Sequence, residues 1–151
     1  MRLGLVPHAG LGLALLVMVA GVDAVERARG RLVEPCPSGV LNCVSSRDRA
    51  DSNYIRPLSF DGSAEIAWMD LLQALREEPR TDIIEQRHFM LRAESASLVF
   101  GLVDDLSFEL DPKESVIEVQ SASRFGIWDF GVNRRRIEDI RERFTALMAR
   151  H

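Results

Sequence analysis

Four consecutive strand-type segments, with no helical period between them, limit this chain more than any other feature. They are 81–87 (TDIIEQR), 89–95 (FMLRAES), 98–110 (LVFGLVDDLSFEL) and 115–123 (SVIEVQSAS). In the second, Phe89, Leu91 and Ala93 alternate with Met90, Arg92 and Glu94. In the third, Leu106, Phe108 and Leu110 alternate with Ser107 and Glu109. In the fourth, Ile117 and Val119 share a face with Ser121 and Ser123. A period of two is the mark of a half-buried strand. The joints are short: the first pair turns near His88, the last at 111–114 (DPKE), and Gly101 marks a bulge. Parallel neighbours need a long crossover, so strands joined this closely form an antiparallel meander.

Helices flank the meander. Ala64, Ala67, Trp68, Leu71, Leu72 and Leu75 fall at helical spacing, with Glu65, Asp70, Gln73 and Glu77 opposite them. Ser63 caps this helix and Pro79 stops it, so it runs over 63–78, with Trp68 in the core. A second helix begins near Asn133, which looks like its cap, with Val132, Ile137, Ile140, Phe144 and Leu147 on its apolar side. Residues 54–60 (YIRPLSF) have strand composition, and Pro57 makes that strand an edge or an irregular one. The expected class is α+β: about five antiparallel strands in the order β-α-β-β-β-β-α. That order resembles the TATA-binding-protein fold and, more loosely, helix-grip domains, a likeness of topology that carries no activity.

The region ahead of the domain reads differently. Residues 11–22 (LGLALLVMVAGV) form an apolar run after Arg2, followed by the small-residue pattern Val22-Asp23-Ala24. This is the shape of a secretory signal. Counted from Leu3, the run is also long enough to span a bilayer if uncleaved. Residues 1–24 are therefore a signal or a membrane anchor, 25–53 a cysteine-containing loop and linker, and 54–151 the folded domain. Either reading places the domain outside the cytoplasm, in the periplasm or facing it from the inner membrane. Cys36 and Cys43 agree with this, since an oxidising compartment favours closing their small loop as a disulfide. Two free buried thiols are the alternative. No histidine lies near them, so they do not make a metal site.

The chemistry on offer is sparse. A net charge of −4 argues against nucleic acid as a partner. No glycine-rich phosphate loop follows a strand, no cofactor motif is present, and Ser121 and Ser123 have no histidine base nearby. Asp104 and Asp105 could in principle do acid-base work, since paired carboxylates shift each other's proton affinity; a strand kink or an arginine partner is the other reading. The unusual feature is Asn133-Arg134-Arg135-Arg136, three cations in the first turn of a helix whose start is already partly positive. One explanation is internal pairing, with Glu138 and Asp139 along the helix or with Asp104, Asp105 and Asp129 across the fold. The other is an anion site, in which Arg134, Arg135 and Arg136 join Asn133, Arg124, Ser121 and Ser123. Trp128, with Phe125 and Phe130, would add an apolar surface suited to an amphipathic ligand such as an anionic lipid. The two can coexist. An assembly protein acting through protein contacts is the competing reading, since arginine and aromatic residues dominate such surfaces.

Several stretches together carry a family likeness: CPSGVLNCVSS, IRPLSFDGSAEIAWMDLL, LRAE, VDDLSFELD and VIEVQSASRFGIWDFGVNRRRIEDIR. On these the chain resembles the family called domain of unknown function 1499. The resemblance implies a bacterial or plastid protein, often with a signal or membrane segment, and brings no established activity. The chain departs from the family pattern twice. Its cysteine loop has one extra residue, with Leu41 standing where proline is usual, and its hairpin turn carries Arg87-His88 in place of an acidic-glycine pair.

Overall fold

The computed structural model describes residues 30–48, 52–97, 101–126 and 128–151. The apolar run at 11–22 and residues 98–100 lie outside the described residues. A compact unit begins at Leu32 and extends to His151.

The unit is α+β, with a six-stranded antiparallel sheet and two helices. Strands β3 (Thr81–Arg87), β4 (Met90–Ala96), β5 (Val103–Asp111) and β6 (Val116–Ser123) form the meander. Beyond β6 lie two short strands, β1 (Cys43–Ser45) and β2 (Leu58–Ser59), each antiparallel to it. Strand β1 falls in the stretch read from sequence as loop and linker. It is three residues long and all three are buried, so it carries no alternation by which to find it. Strand β2 shrinks to two residues directly after Pro57, which cannot donate to a ladder. Gly101 does not bulge a strand: it lies ahead of β5 with φ +60°, in the left-handed region.

Helix α1 (Ala64–Glu77) starts on Ser63, whose hydroxyl accepts from the amides of Glu65 and Ile66. Helix α2 spans Val132–Met148. The two helices pack on each other and cover one face of the sheet. Leu71, Leu75, Leu91, Leu106, Phe108, Ile117, Val119, Ile140 and Phe144 fill the space between, and Trp68 lies in the same core.

On that inner face the sheet changes character along its length. In β5, Leu110, Phe108 and Leu106 are followed by Asp104; in β6, Ile117 and Val119 are followed by Ser121 and Ser123. Register puts Leu106 opposite Ser121 and Asp104 opposite Ser123. Paired residues share a face, so the sheet presents a polar end to the helix that begins there.

Candidate functional site

The polar end of the sheet and the first turn of α2 form one buried network. Asn133 is 0% exposed, Ser121 0%, Asp104 3% and Arg136 6%. Arg136 Nη2 donates to Asp104 Oδ2 at 2.7 Å, and its Nη1 donates to Asn133 Oδ1 at 3.1 Å. Ser121 Oγ donates to the same Asn133 oxygen at 2.5 Å. Asn133 Nδ2 donates to the Asn42 carbonyl at 3.0 Å, to Ser123 Oγ at 2.9 Å and to Asp129 Oδ2 at 2.8 Å. A buried charge is tolerated when it is paired and its remaining polar atoms are hydrogen-bonded.

Asn133 is therefore not the helix cap expected from sequence. The cap position belongs to Gly131, in the left-handed conformation at φ 73°, and Asn133 is the second residue of the helix, with its side chain turned to the sheet. The residue that serves the free amides is Asp129, whose carboxylate accepts from Gly131 N and Asn133 N at 2.8 Å each. A carboxylate at a helix start satisfies the exposed donors and the dipole together. The anion at this helix start is thus the chain's own Asp129, which among the described residues pairs with no arginine.

The three consecutive arginines part company. Arg136 turns inward to Asp104. Arg134 Nη2 donates to the Ser52 carbonyl at 2.7 Å, and Arg135 Nη1 donates to the Phe130 carbonyl at 2.9 Å. Neither Arg134 nor Arg135 meets Glu138 or Asp139; Glu138 is taken by Arg141. Both guanidinium groups lie outside the core, and among the described residues neither has a carboxylate partner.

Arg124 does not converge with them. It follows Ser123 by one position and faces the other side of the sheet. There its Nε donates to Asp105 Oδ2 at 3.0 Å, its Nη2 to Asp105 Oδ1 at 2.7 Å, and its Nη2 also to Glu94. Those hydrogen bonds, from Asp105 first and Glu94 second, hold the guanidinium above its ordinary pKa. Asp104 and Asp105 are thus each committed to an arginine, on opposite faces.

Above the network runs the loop 124–131. Phe125 is 69% exposed, Trp128 60% and Phe130 71%, and Leu41 beside them is 58% exposed. Trp128 and Phe130 stack with ring centroids 4.2 Å apart. Phe130 holds φ 55°, a left-handed conformation that costs a side-chain-bearing residue about 1–2 kcal/mol. The loop is held from below by Asn42: its Nδ2 donates to the Gly126 carbonyl at 2.6 Å, and its own carbonyl accepts from Ser123 N. Leu41 bridges to Trp128, and Cys43 closes a disulfide to Cys36 with Cα atoms 5.9 Å apart. The cysteine loop is thus the support of the aromatic loop. Sequence reading passed over Asn42. Its signal was a lone amide side chain next to a cysteine in a stretch otherwise built for turning.

A groove of about 340 Å³ lies elsewhere, lined by Ser46, Tyr54, Pro57, Glu114, Val116 and Glu118. None of the residues picked from sequence lines it, and its two glutamates do not suit an anion. Among the described residues no group of three or more histidine, cysteine, aspartate or glutamate side chains could hold a metal ion.

A comparison with curated proteins finds no match to the chain. Residues 33–144 match the family described as a protein of unknown function, DUF1499, a span that takes in the cysteine loop, the whole sheet and most of α2. The chain belongs to the DUF1499 family.

Proposed function

We propose that the domain is a non-enzymatic, extracytoplasmic binding module of the cell envelope, and that it works by surface contact at loop 124–131 and the start of α2. The observation that carries this reading is the exposed group Leu41, Trp128 and Phe130, joined by the Leu41–Trp128 bridge and the Trp128–Phe130 stack, with exposed Phe125 on the same Asn42-held loop. Large apolar side chains gathered on a surface mark an interaction site, whereas scattered ones do not. Arg135, seated on the Phe130 carbonyl, gives that surface a positive rim, so the fitting partner is amphipathic or anionic. The disulfide is compatible with export, and the apolar run at 11–22 supplies the route, as a cleaved signal or as a membrane anchor. Catalysis by Asp104 or Asp105 would need a free carboxylate, and each is bound to an arginine.

A second reading, an assembly protein with a protein partner, is favoured by the exposure of Trp128. One experiment tests the shared content of both. A photo-crosslinking amino acid placed at Phe130 of the full chain, expressed in its native envelope, should form adducts with an envelope component. The same probe at Ile84, exposed on β3, should not. No adduct at 130 beyond that control would end the binding-module reading.

A further inference from the structure

We propose that the platform formed by Leu41, Phe125, Trp128 and Phe130 docks on an anionic phospholipid bilayer, with Arg134 and Arg135 meeting its headgroups. This rests on the binding-module reading and names its partner.

Charge is the first argument. Most arginines that bear on this region are neutralised inside the fold: Arg136 by Asp104, Arg124 by Asp105 and Glu94, Arg141 by Glu138. Arg134 and Arg135 are not. Each is tethered by a backbone carbonyl, and among the described residues neither meets a carboxylate. An otherwise acidic chain therefore carries, in the helical turn that follows the exposed Trp128 and Phe130, two arginines that meet no carboxylate among the described residues, and Arg135 sits on the Phe130 carbonyl itself. Apolar side chains flanked by arginine suit a bilayer interface, where rings sit at headgroup level and guanidinium groups meet lipid phosphates.

Chain length is the second argument. Val22, the last residue of the apolar run, and Leu32, the first of the compact unit, are ten positions apart. A fully extended chain of that length reaches about 35 Å at most. If the run stays in the bilayer, the domain cannot leave the membrane surface by more than that reach. Docking is then intramolecular, and a weak surface suffices.

The two tryptophans allow a direct test. Trp128 is 60% exposed on the platform, whereas Trp68 is 5% exposed in the core. The full chain is reconstituted into vesicles whose acyl chains carry bromine, a contact quencher of indole. The vesicles contain either phosphatidylcholine alone or phosphatidylcholine mixed with phosphatidylglycerol. Docking predicts quenched, blue-shifted Trp128 emission in the anionic vesicles only, and loss of that signal in Trp128→Phe. Replacing Arg134 and Arg135 by glutamine should lower the ratio of docked to undocked protein about fivefold per arginine. Equal quenching in neutral and anionic vesicles would overturn the headgroup assignment. No quenching in either would overturn bilayer docking. A protein adduct at position 130 would then leave the binding-module reading standing with a protein partner, and no adduct would remove both.

Discussion

Asp104 and Asp105 are neighbours on one strand, and each binds an arginine, yet the two ion pairs do different work. Asp104 faces the helices and meets Arg136 where both side chains are almost fully buried, 4% and 7% exposed. Asp105 faces the other way and meets Arg124 where 49% and 39% of the side chains remain exposed. The chemistry is the same and the surroundings are not. Inside, each member has given up its hydration, so each depends on the other and on the Asn133 and Ser121 hydrogen bonds around them. Outside, water replaces a lost partner at little cost. The inner pair ties the start of α2 to the sheet, and the aromatic loop is the segment stretched between those two points.

The largest effect should come from breaking the inner pair. Arg136→Ala leaves the Asp104 carboxylate buried without its cation, which costs about 3–5 kcal/mol. Urea unfolding of the purified chain should show that loss. Because a whole domain is stable by only about 5–15 kcal/mol, the variant sits near its unfolding limit. The companion Asp104→Leu/Arg136→Met removes both charges and keeps the volume. It should recover most of the stability, since well-packed apolar residues often match a buried pair. A double replacement as unstable as Arg136→Ala would mean that the pair contributes net stability, and the contrast with the outer pair would widen.

Glu78 and Arg143 form an intermediate case that sharpens the comparison. They join the end of α1 to α2 at 2.5 Å, with Glu78 9% exposed and Arg143 31%. Burial raises the Glu78 pKa above its ordinary 4.5, and Arg143 opposes the shift without cancelling it. A carboxyl with a raised folded-state pKa binds its proton more tightly folded than unfolded. Its contribution is fully present below the unfolded value and is lost as pH rises through the folded one. The wild type should therefore lose stability relative to Glu78→Gln as pH climbs from below 4.5 toward neutral, seen as a widening gap in thermal midpoints. A gap that narrows over the same range would show Arg143 outweighing burial, and would place this pair with a true buried lock.

Much of this fold can be read from the sequence, because alternation is a local property. Leu106, Phe108 and Leu110 announce their face without any knowledge of what covers it, and Ser63 announces a helix start in the same way. The site is harder, for two physical reasons. Asn133 sits where a capping asparagine would sit, and the same amide chemistry serves a buried network equally well; only the tertiary partners Ser121, Ser123 and Asn42 decide between them. The grouping of Arg124 with Ser121 and Ser123 overlooked a signal that was present. One step along an extended chain turns a side chain to the opposite face, so residue 124 could not join 121 and 123. The separate fates of Arg134, Arg135 and Arg136 had no local signal. They depend on a carbonyl far off in the chain, a carbonyl in the preceding loop, and a carboxylate on the sheet.

The smallest effect should come from the outer pair, and it is the one that can undo the comparison. Arg124→Ala removes a guanidinium that holds two carboxylates, Asp105 and Glu94, yet all three side chains are open to solvent. Exposed pairs contribute little, because water and salt screen what the geometry offers. Asp105 and Glu94 stand directly across from each other on β4 and β5, so removing the arginine leaves two like charges facing. The expected outcome is a slightly lower thermal midpoint at low salt that returns to the wild-type value at high salt, where that repulsion is screened. The platform should stay in place, because Asn42 and Asp129 hold it from the inner side. A salt-independent loss as large as that of Arg136→Ala would show that Arg124 anchors loop 124–131 from outside. The platform would then have two locks, one on each face of the sheet.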